Sequence, residues 1–209
     1  AAIYGPNAGA FGMEPWHASI QDAYELLQGK KFEMQNYPMW EKESLKDEQH
    51  PLAAYHVTEP FLLHTNKKEG ESFKIEGRLP GGFLDCLSHL RGTKFDKVKE
   101  FNQKYEDDGI LWFLESCDLN VFEMRRTLWS LKQAGWFDTC RGFLIGRPGV
   151  QGQIIAGLDQ YEAVLSILSE FDVPIFMDLD IGHVAPMIPL ICGSYGKVTV
   201  VGNDCCIAM

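Results

Sequence analysis

The sequence lacks any uninterrupted apolar run approaching the ~20 residues that a membrane-spanning helix needs. Its longest clean stretches, Ile110 to Leu114 and Val173 to Met177, are of strand length. It is also short of basic residues. Nineteen Lys and Arg against 29 Asp and Glu leave a formal charge of −10, so no basic footprint exists for a nucleic acid or an anionic membrane surface, and neither is expected as a partner. No C-x-x-C pair occurs among the six cysteines, and the adjacent Cys205 and Cys206 suit neither an ordinary disulfide framework nor a zinc site. The six histidines show no H-x-x-x-H spacing. No metal and no cofactor are expected, and reduced thiols suit a cytoplasmic protein. Finally, the opening Ala1-Ala2-Ile3-Tyr4-Gly5-Pro6 has no initiator Met, basic n-region or apolar h-region. It reads as an entrance into the middle of a fold, and a processed or truncated chain is expected.

What is present is ordinary for a globular protein. The 209 residues are 45% hydrophobic and 23% charged, enough to build a sizeable core. Residues Pro15 to Gly29 read as a helix, with Pro15 in its first turn, Gly29 as its stop, and Trp16, Ile20, Tyr24 and Leu27 on one face. From Tyr37 to Ser72 the pattern dissolves: Glu41 to His50 carries six charges in ten residues, and Pro38, Pro51 and Pro60 interrupt any long element. This reads as a linker with strand-like patches such as Phe61-Leu62-Leu63. The expected division is 1–36, 37–72 and 73–209.

Beyond Phe73 the signals sharpen. Ile110 to Leu114 predicts a buried strand entered from Asp107-Asp108-Gly109. Asn120 with Glu123 has capping-box spacing for a helix whose apolar stripe is Val121, Met124, Leu128 and Leu131. Gly142 to Gly146 predicts a second strand, Asp159 to Glu170 a second helix, Val173 to Met177 a third strand and Lys197 to Val201 a fourth. Gly81-Gly82 reads as the opening of a short helix, Phe83 to Leu90. Strand, helix, strand, helix, strand is the grammar of an α/β fold with a mostly parallel sheet flanked by helices.

In such sheets ligands bind beyond the carboxyl ends of the strands. Glu115 directly follows the first buried strand, and His183 comes shortly after the third, so both project at one rim. A carboxylate and an imidazole together are the orienter and base of a nucleophilic triad. Taken singly, a Glu at a strand end more often caps a loop, and a lone His after a Gly is more often an ordinary loop residue. Asp178 and Asp180 flank the same rim, either as a carboxylate pair or as solvated loop acids. Arg147, after the second strand, could meet a substrate carboxylate bidentately or simply pair with one of many surface acids. No serine has the G-x-S-x-G setting of an exposed nucleophile. Ser72 comes nearest, in Gly70-Glu71-Ser72, without the trailing glycine. Cys117 lies close to Glu115, but nothing local would depress its thiol pKa.

Several segments taken in order resemble one family. Glu76-Gly77-Arg78-Leu79-Pro80-Gly81-Gly82-Phe83-Leu84 followed by Leu90-Arg91-Gly92-Thr93 is similar to the opening of the C-terminal domain of the serine LD-carboxypeptidases. Leu111 to Glu115 resembles that family's L-F-L-E strand. Glu123 to Phe137 with Gly142 to Arg147, and Gly182-His183 with Pro186 and Pro189-Leu190, resemble its later motifs. The resemblance implies an N-terminal α/β domain bearing a serine and a C-terminal domain bearing Glu and His, here Glu115 and His183. It also implies a cytoplasmic homodimer that removes a terminal D-alanine from peptidoglycan tetrapeptides during recycling. A related branch, the microcin C immunity proteins, cleaves a toxic aminoacyl-nucleotide conjugate. That activity would need aromatic residues to stack a base, and Trp112 and Trp136 both read as core. A third reading is a non-catalytic protein that binds cell-wall peptides. Two departures stand out: Phe83 replaces the Asn that follows Gly-Gly, and the family's G-Y-S-D elbow is missing. Tyr4-Gly5-Pro6 resembles the segment just past that elbow. The chain is therefore expected to contain only a remnant of the N-terminal domain, to lack its nucleophile and to be inactive alone.

Overall fold

The computed structural model describes residues 2–68 and 71–209; Gly70, invoked above beside Ser72, lies outside them. Its main sheet has nine strands: β1 (Glu33–Gln35), β2 (His64–Thr65), β3 (Ser72–Arg78), β4 (Gly81–Phe83), β5 (Ile110–Glu115), β6 (Cys140–Gly146), β7 (Ile175–Leu179), β8 (Tyr195–Val201) and β9 (Asp204–Ala208). They lie in the order β1-β9-β8-β3-β5-β6-β7-β2, with β4 also paired to β5. The centre is parallel: β5 runs alongside β3, β4 and β6, and β6 alongside β7. Antiparallel strands extend both edges.

The helices are α1 (Ala18–Leu27), α2 (Leu84–Leu90), α3 (Val98–Lys104), α4 (Val121–Gln133) and α5 (Gln160–Leu168). All six residues of β5 are buried, because the strand is covered on both faces. Its alternate residues divide between two cores. Ile110, Trp112 and Leu114 join Val121, Met124 and Leu128 of α4 and Val164, Ile167 and Leu168 of α5. Leu111 and Phe113 join Leu26 of α1, Val198 and Val200 of β8 and Ile207 of β9. Burial of each such Leu, Ile or Phe contributes roughly 1.5–3 kcal/mol.

Local signals placed the crossover helices well. Asn120 and Glu123 form the capping box at the start of α4, and the Asp159 side chain caps α5. Three expectations need correction. Pro15 precedes α1 rather than opening it, because the His17 side chain supplies the cap by accepting from the Ser19 amide. Phe61-Leu62-Leu63 is not a strand; its neighbours Glu59–Pro60 and His64–Thr65 pair instead, with Met39–Trp40 and with β7. The short helix expected over Phe83 to Leu90 is present as Leu84–Leu90 with Phe83 at its N-cap, but Gly81 and Gly82 before it lie in a strand paired with β5, and a Cβ on Gly81 would lie 1.8 Å from the Phe113 carbonyl oxygen. Of the residues read as one face, Trp16, Tyr24 and Leu27 are exposed, whereas Ile20 is fully buried against Ala10 and Met13.

Candidate active site

The parallel centre of the sheet determines where Glu115 and His183 meet. Glu115 ends β5, and its neighbour β6 ends at Gly146. The chain leaving β7 passes through Asp180, Ile181 and Gly182 to His183, anchored where the Ile188 amide donates to the Asp180 carbonyl at 2.6 Å. Two glycines make the approach possible. A Cβ on Gly146 would lie 2.9 Å from the Glu115 Cβ and 2.0 Å from the Ile181 carbonyl oxygen. Gly182 has φ +110°, and a Cβ there would reach within 2.6 Å of Glu115 Oε2. Side chains are excluded at both positions.

The result is an imidazole held by a carboxylate. His183 Nδ1 lies 3.0 Å from Glu115 Oε1. The Glu115 side chain is fully buried, and that of His183 is half exposed. With Nδ1 donating to the carboxylate, Nε2 is left as a proton acceptor facing outward. The Phe83 ring packs at 4.7 Å from the imidazole. His183 also lines a cavity of about 350 Å³ whose other walls include Trp40, Lys42, Ser44, Pro148 and Gln151. No serine hydroxyl among the described residues hydrogen-bonds to His183. Cys117 is no substitute, since burial and neighbouring Asp118 push its thiol up to about 11.

Tyr4 is the residue that sequence reasoning missed. Its hydroxyl donates to the same Glu115 Oε1 that holds His183, its ring packs on Phe113 at 5.5 Å, and its strand Ile3–Tyr4 pairs with Leu190–Ile191. No local pattern announces a contact across 111 residues. Burial pushes Glu115 above the ordinary carboxylate range, while the Tyr4 hydroxyl and His183 pull it back. Burial and then Glu115 raise Tyr4 itself, so it stays a donor. A hydrogen bond donated to a carboxylate favours its charged form. Tyr4→Phe is therefore expected to move the Glu115 titration upward, read by carboxyl carbon NMR. An unchanged midpoint would show that Tyr4 does not support the carboxylate.

The remaining candidates lie inside the protein. Arg147 is 1% exposed: Nη2 donates to Asp180 Oδ1 at 3.0 Å and to the Asp178 carbonyl at 2.9 Å. The guanidinium sits 4.6 Å from the Trp40 ring centre, and Nη1 has no partner. Asp178 and Asp180 are neither solvated nor a mutual pair. Asp178 Oδ2 lies 2.7 Å from His64 Nδ1 and accepts from the Tyr161 hydroxyl, while its Oδ1 accepts from Gln160. Asp180 also accepts from the Tyr37 amide, and burial, offset in part by Arg147, pushes it up to about 6. Trp112 and Trp136 are core, as read from the sequence; the aromatic wall of the His183 cavity is Trp40. Among the described residues, no group of three or more His, Cys, Asp or Glu side chains is arranged to hold a metal.

Comparison with known proteins agrees with this architecture. The chain is 25% identical over 210 residues to a protein of Treponema pallidum named as a carboxypeptidase, a match covering 95% of this chain and 55% of that protein. The fold superposes on an MccF-like protein from Streptococcus pneumoniae solved with AMP, at a TM-score of 0.71 and 20% identity, over 98% of this chain and 62% of the other. It superposes likewise on a muramoyltetrapeptide carboxypeptidase from Oxalobacter formigenes, at a TM-score of 0.65 and 16% identity, over 98% of this chain and 60% of the other. The chain thus spans little more than half the length of these relatives. The family model for the LD-carboxypeptidase C-terminal domain matches residues 76–198, which hold both Glu115 and His183. On that match the chain belongs to the LD-carboxypeptidase family.

Proposed function

We propose that this chain carries the base and the orienting carboxylate of a serine LD-carboxypeptidase, the nucleophilic serine being supplied by residues outside this sequence. The substrate is a peptidoglycan-derived tetrapeptide, and the product a free D-alanine, in a cytoplasmic homodimer. One observation carries the reading: the 3.0 Å Glu115–His183 pair, whose outer imidazole nitrogen is free at the edge of a cavity. In the reaction, serine Oγ attacks the scissile carbonyl as His183 Nε2 takes its proton. His183 then returns that proton to the leaving amine as the C–N bond breaks, leaving an acyl-enzyme. Water, deprotonated by the same nitrogen, hydrolyses the ester and regenerates the serine. Glu115 keeps the imidazole in one tautomer and stabilises its cation.

The test compares the 209-residue chain alone with a form extended by whatever coding segment precedes Ala1. The expected result is no D-alanine release by the chain alone and turnover by the extended form. Hydrolysis by the bare chain that disappears in Ser44→Ala would overturn the missing-nucleophile reading, since Ser44 is the serine lining the His183 cavity. A second reading, an immunity hydrolase of the microcin C type, is favoured by Trp40, which offers that cavity an aromatic wall suited to a nucleobase. Turnover of an aminoacyl-sulfamoyl nucleoside in preference to the tetrapeptide would select it. Tetrapeptide binding without turnover by the extended form would select the non-catalytic alternative.

A further inference from the structure

The Glu115 carboxylate holds His183 at one atom. A hydrogen bond at 3.0 Å to a carboxylate oxygen tolerates a broad range of directions, so the ring can still swing about Nδ1. Its side chain is half exposed, and the residue before it is Gly182, with φ +110°. Yet a general base must meet its proton at about 2.6–3.2 Å, which requires the direction of Nε2 to be set. The Phe83 ring limits that freedom on one side, its centre 4.7 Å from that of the imidazole and its plane inclined by 45°.

Neither the helix nor the core accounts for a phenylalanine at this position. Phe83 is the N-cap of α2, where a side-chain oxygen usually accepts from the first turn, and it makes no capping bond. Its half-buried side chain belongs to neither of the two large apolar clusters. Register is what places it. In the short pairing of β4 with β5, Phe83 lies opposite Glu115, and residues in register on neighbouring strands project from the same face of a sheet. Carboxylate and aromatic ring thus leave adjacent strand ends side by side, one bonding Nδ1 and the other packing on the imidazole.

We propose that Phe83 is a positioning residue for His183, its flat ring fixing the plane of the imidazole so that Nε2 keeps one direction. It acts through His183 and makes or breaks no bond, and the role rests on the reading of His183 as the base.

The test begins with NMR of the 209-residue chain, its histidine ring nitrogens labelled. Cross-relaxation should connect the Phe83 and His183 ring protons. At alkaline pH, with the imidazole neutral, the two His183 nitrogens should resonate far apart, Nδ1 as the protonated one. In Phe83→Ala these signals should move toward each other, because the ring leaves Glu115 part of the time and the tautomers mix. Phe83→Tyr should restore the separation. In a form that includes the serine, Phe83→Ala should lower kcat roughly 10- to 100-fold, the scale of a misplacement of about 1 Å, with KM changed less than about twofold. Absent cross-relaxation, or an unchanged nitrogen separation in Phe83→Ala, would overturn the proposal. So would a raised KM at unchanged kcat, which would make the ring a substrate contact instead. Where Phe83→Ala fails to fold, Phe83→Leu keeps most of the bulk without the flat face, and the same convergence of signals is expected. The NMR measurements need no turnover, so an extended form that releases no D-alanine would remove the serine reading while the role of Phe83 is still decided.

Discussion

His183→Ala, in a form of the enzyme that includes the serine, should abolish nearly all turnover of an L,D-tetrapeptide while leaving its binding little changed. The imidazole acts on protons that move only as the reaction proceeds, so its loss appears in kcat rather than in KM. Glu115→Gln should cost less, on the order of 10²- to 10⁴-fold in kcat, because the imidazole survives but its tautomer and its cation lose support. The 3.0 Å contact and the burial of the Glu115 side chain make that support specific. Steady-state kinetics on both variants check this. Wild-type rates in either would remove that residue from the reaction.

The largest expected effect on stability is at Arg147. Arg147→Ala strands Asp180, 0% exposed, without its cation, and breaking a buried pair from one side costs about 3–5 kcal/mol. The loss should depend on pH. Asp180 sits at about 6 in the folded protein, and Arg147 is among the influences holding it down, so the variant's Asp180 must titrate higher still. Below the unfolded carboxylate value of about 4 the group is protonated in both proteins and the ion pair contributes nothing. As pH rises through 6 and beyond, the variant keeps a buried carboxylate it cannot easily ionise, and the deficit grows. Packing lost from the Trp40 ring is independent of pH and remains throughout. Denaturant titrations at pH 5 and pH 8 read the difference. A deficit equal at the two values would mean that Arg147 acts by packing alone. Arg147→Met with Asp180→Leu should recover much of the loss, because the uncompensated carboxylate is gone.

What could be read from the sequence follows the range of the physics. Periodicity and caps act over a few residues, and so β5, the capping box of α4 and the position of α5 were all legible. Glu115 and His183 could be placed at one rim because parallel crossovers bring strand ends together regardless of sequence distance. The rest depended on pairings no local pattern encodes. Tyr4 reaches Glu115 across 111 residues, and His64 reaches Asp178 from a segment that read as a linker. Arg147 and Asp180 looked like surface residues because charged side chains usually are. In the folded protein the rings of Trp40 and Phe61 lie over the Arg147 guanidinium.

The two glycines beside Glu115 have a bearing on how the protein folds. Gly146 and Gly182 matter only when β5, β6 and the turn after β7 are all in place, since each is close-packed against an element remote in sequence. The Glu115–His183 contact closes a loop of 68 residues, an entropic cost that neighbouring strands must already have met before the pair can form. The helical side of the sheet can mature from nearer contacts, α4 against α5 and against the strands that flank them. On this geometry the imidazole can be oriented only once the last parallel strand is in register, even where the helices are already formed.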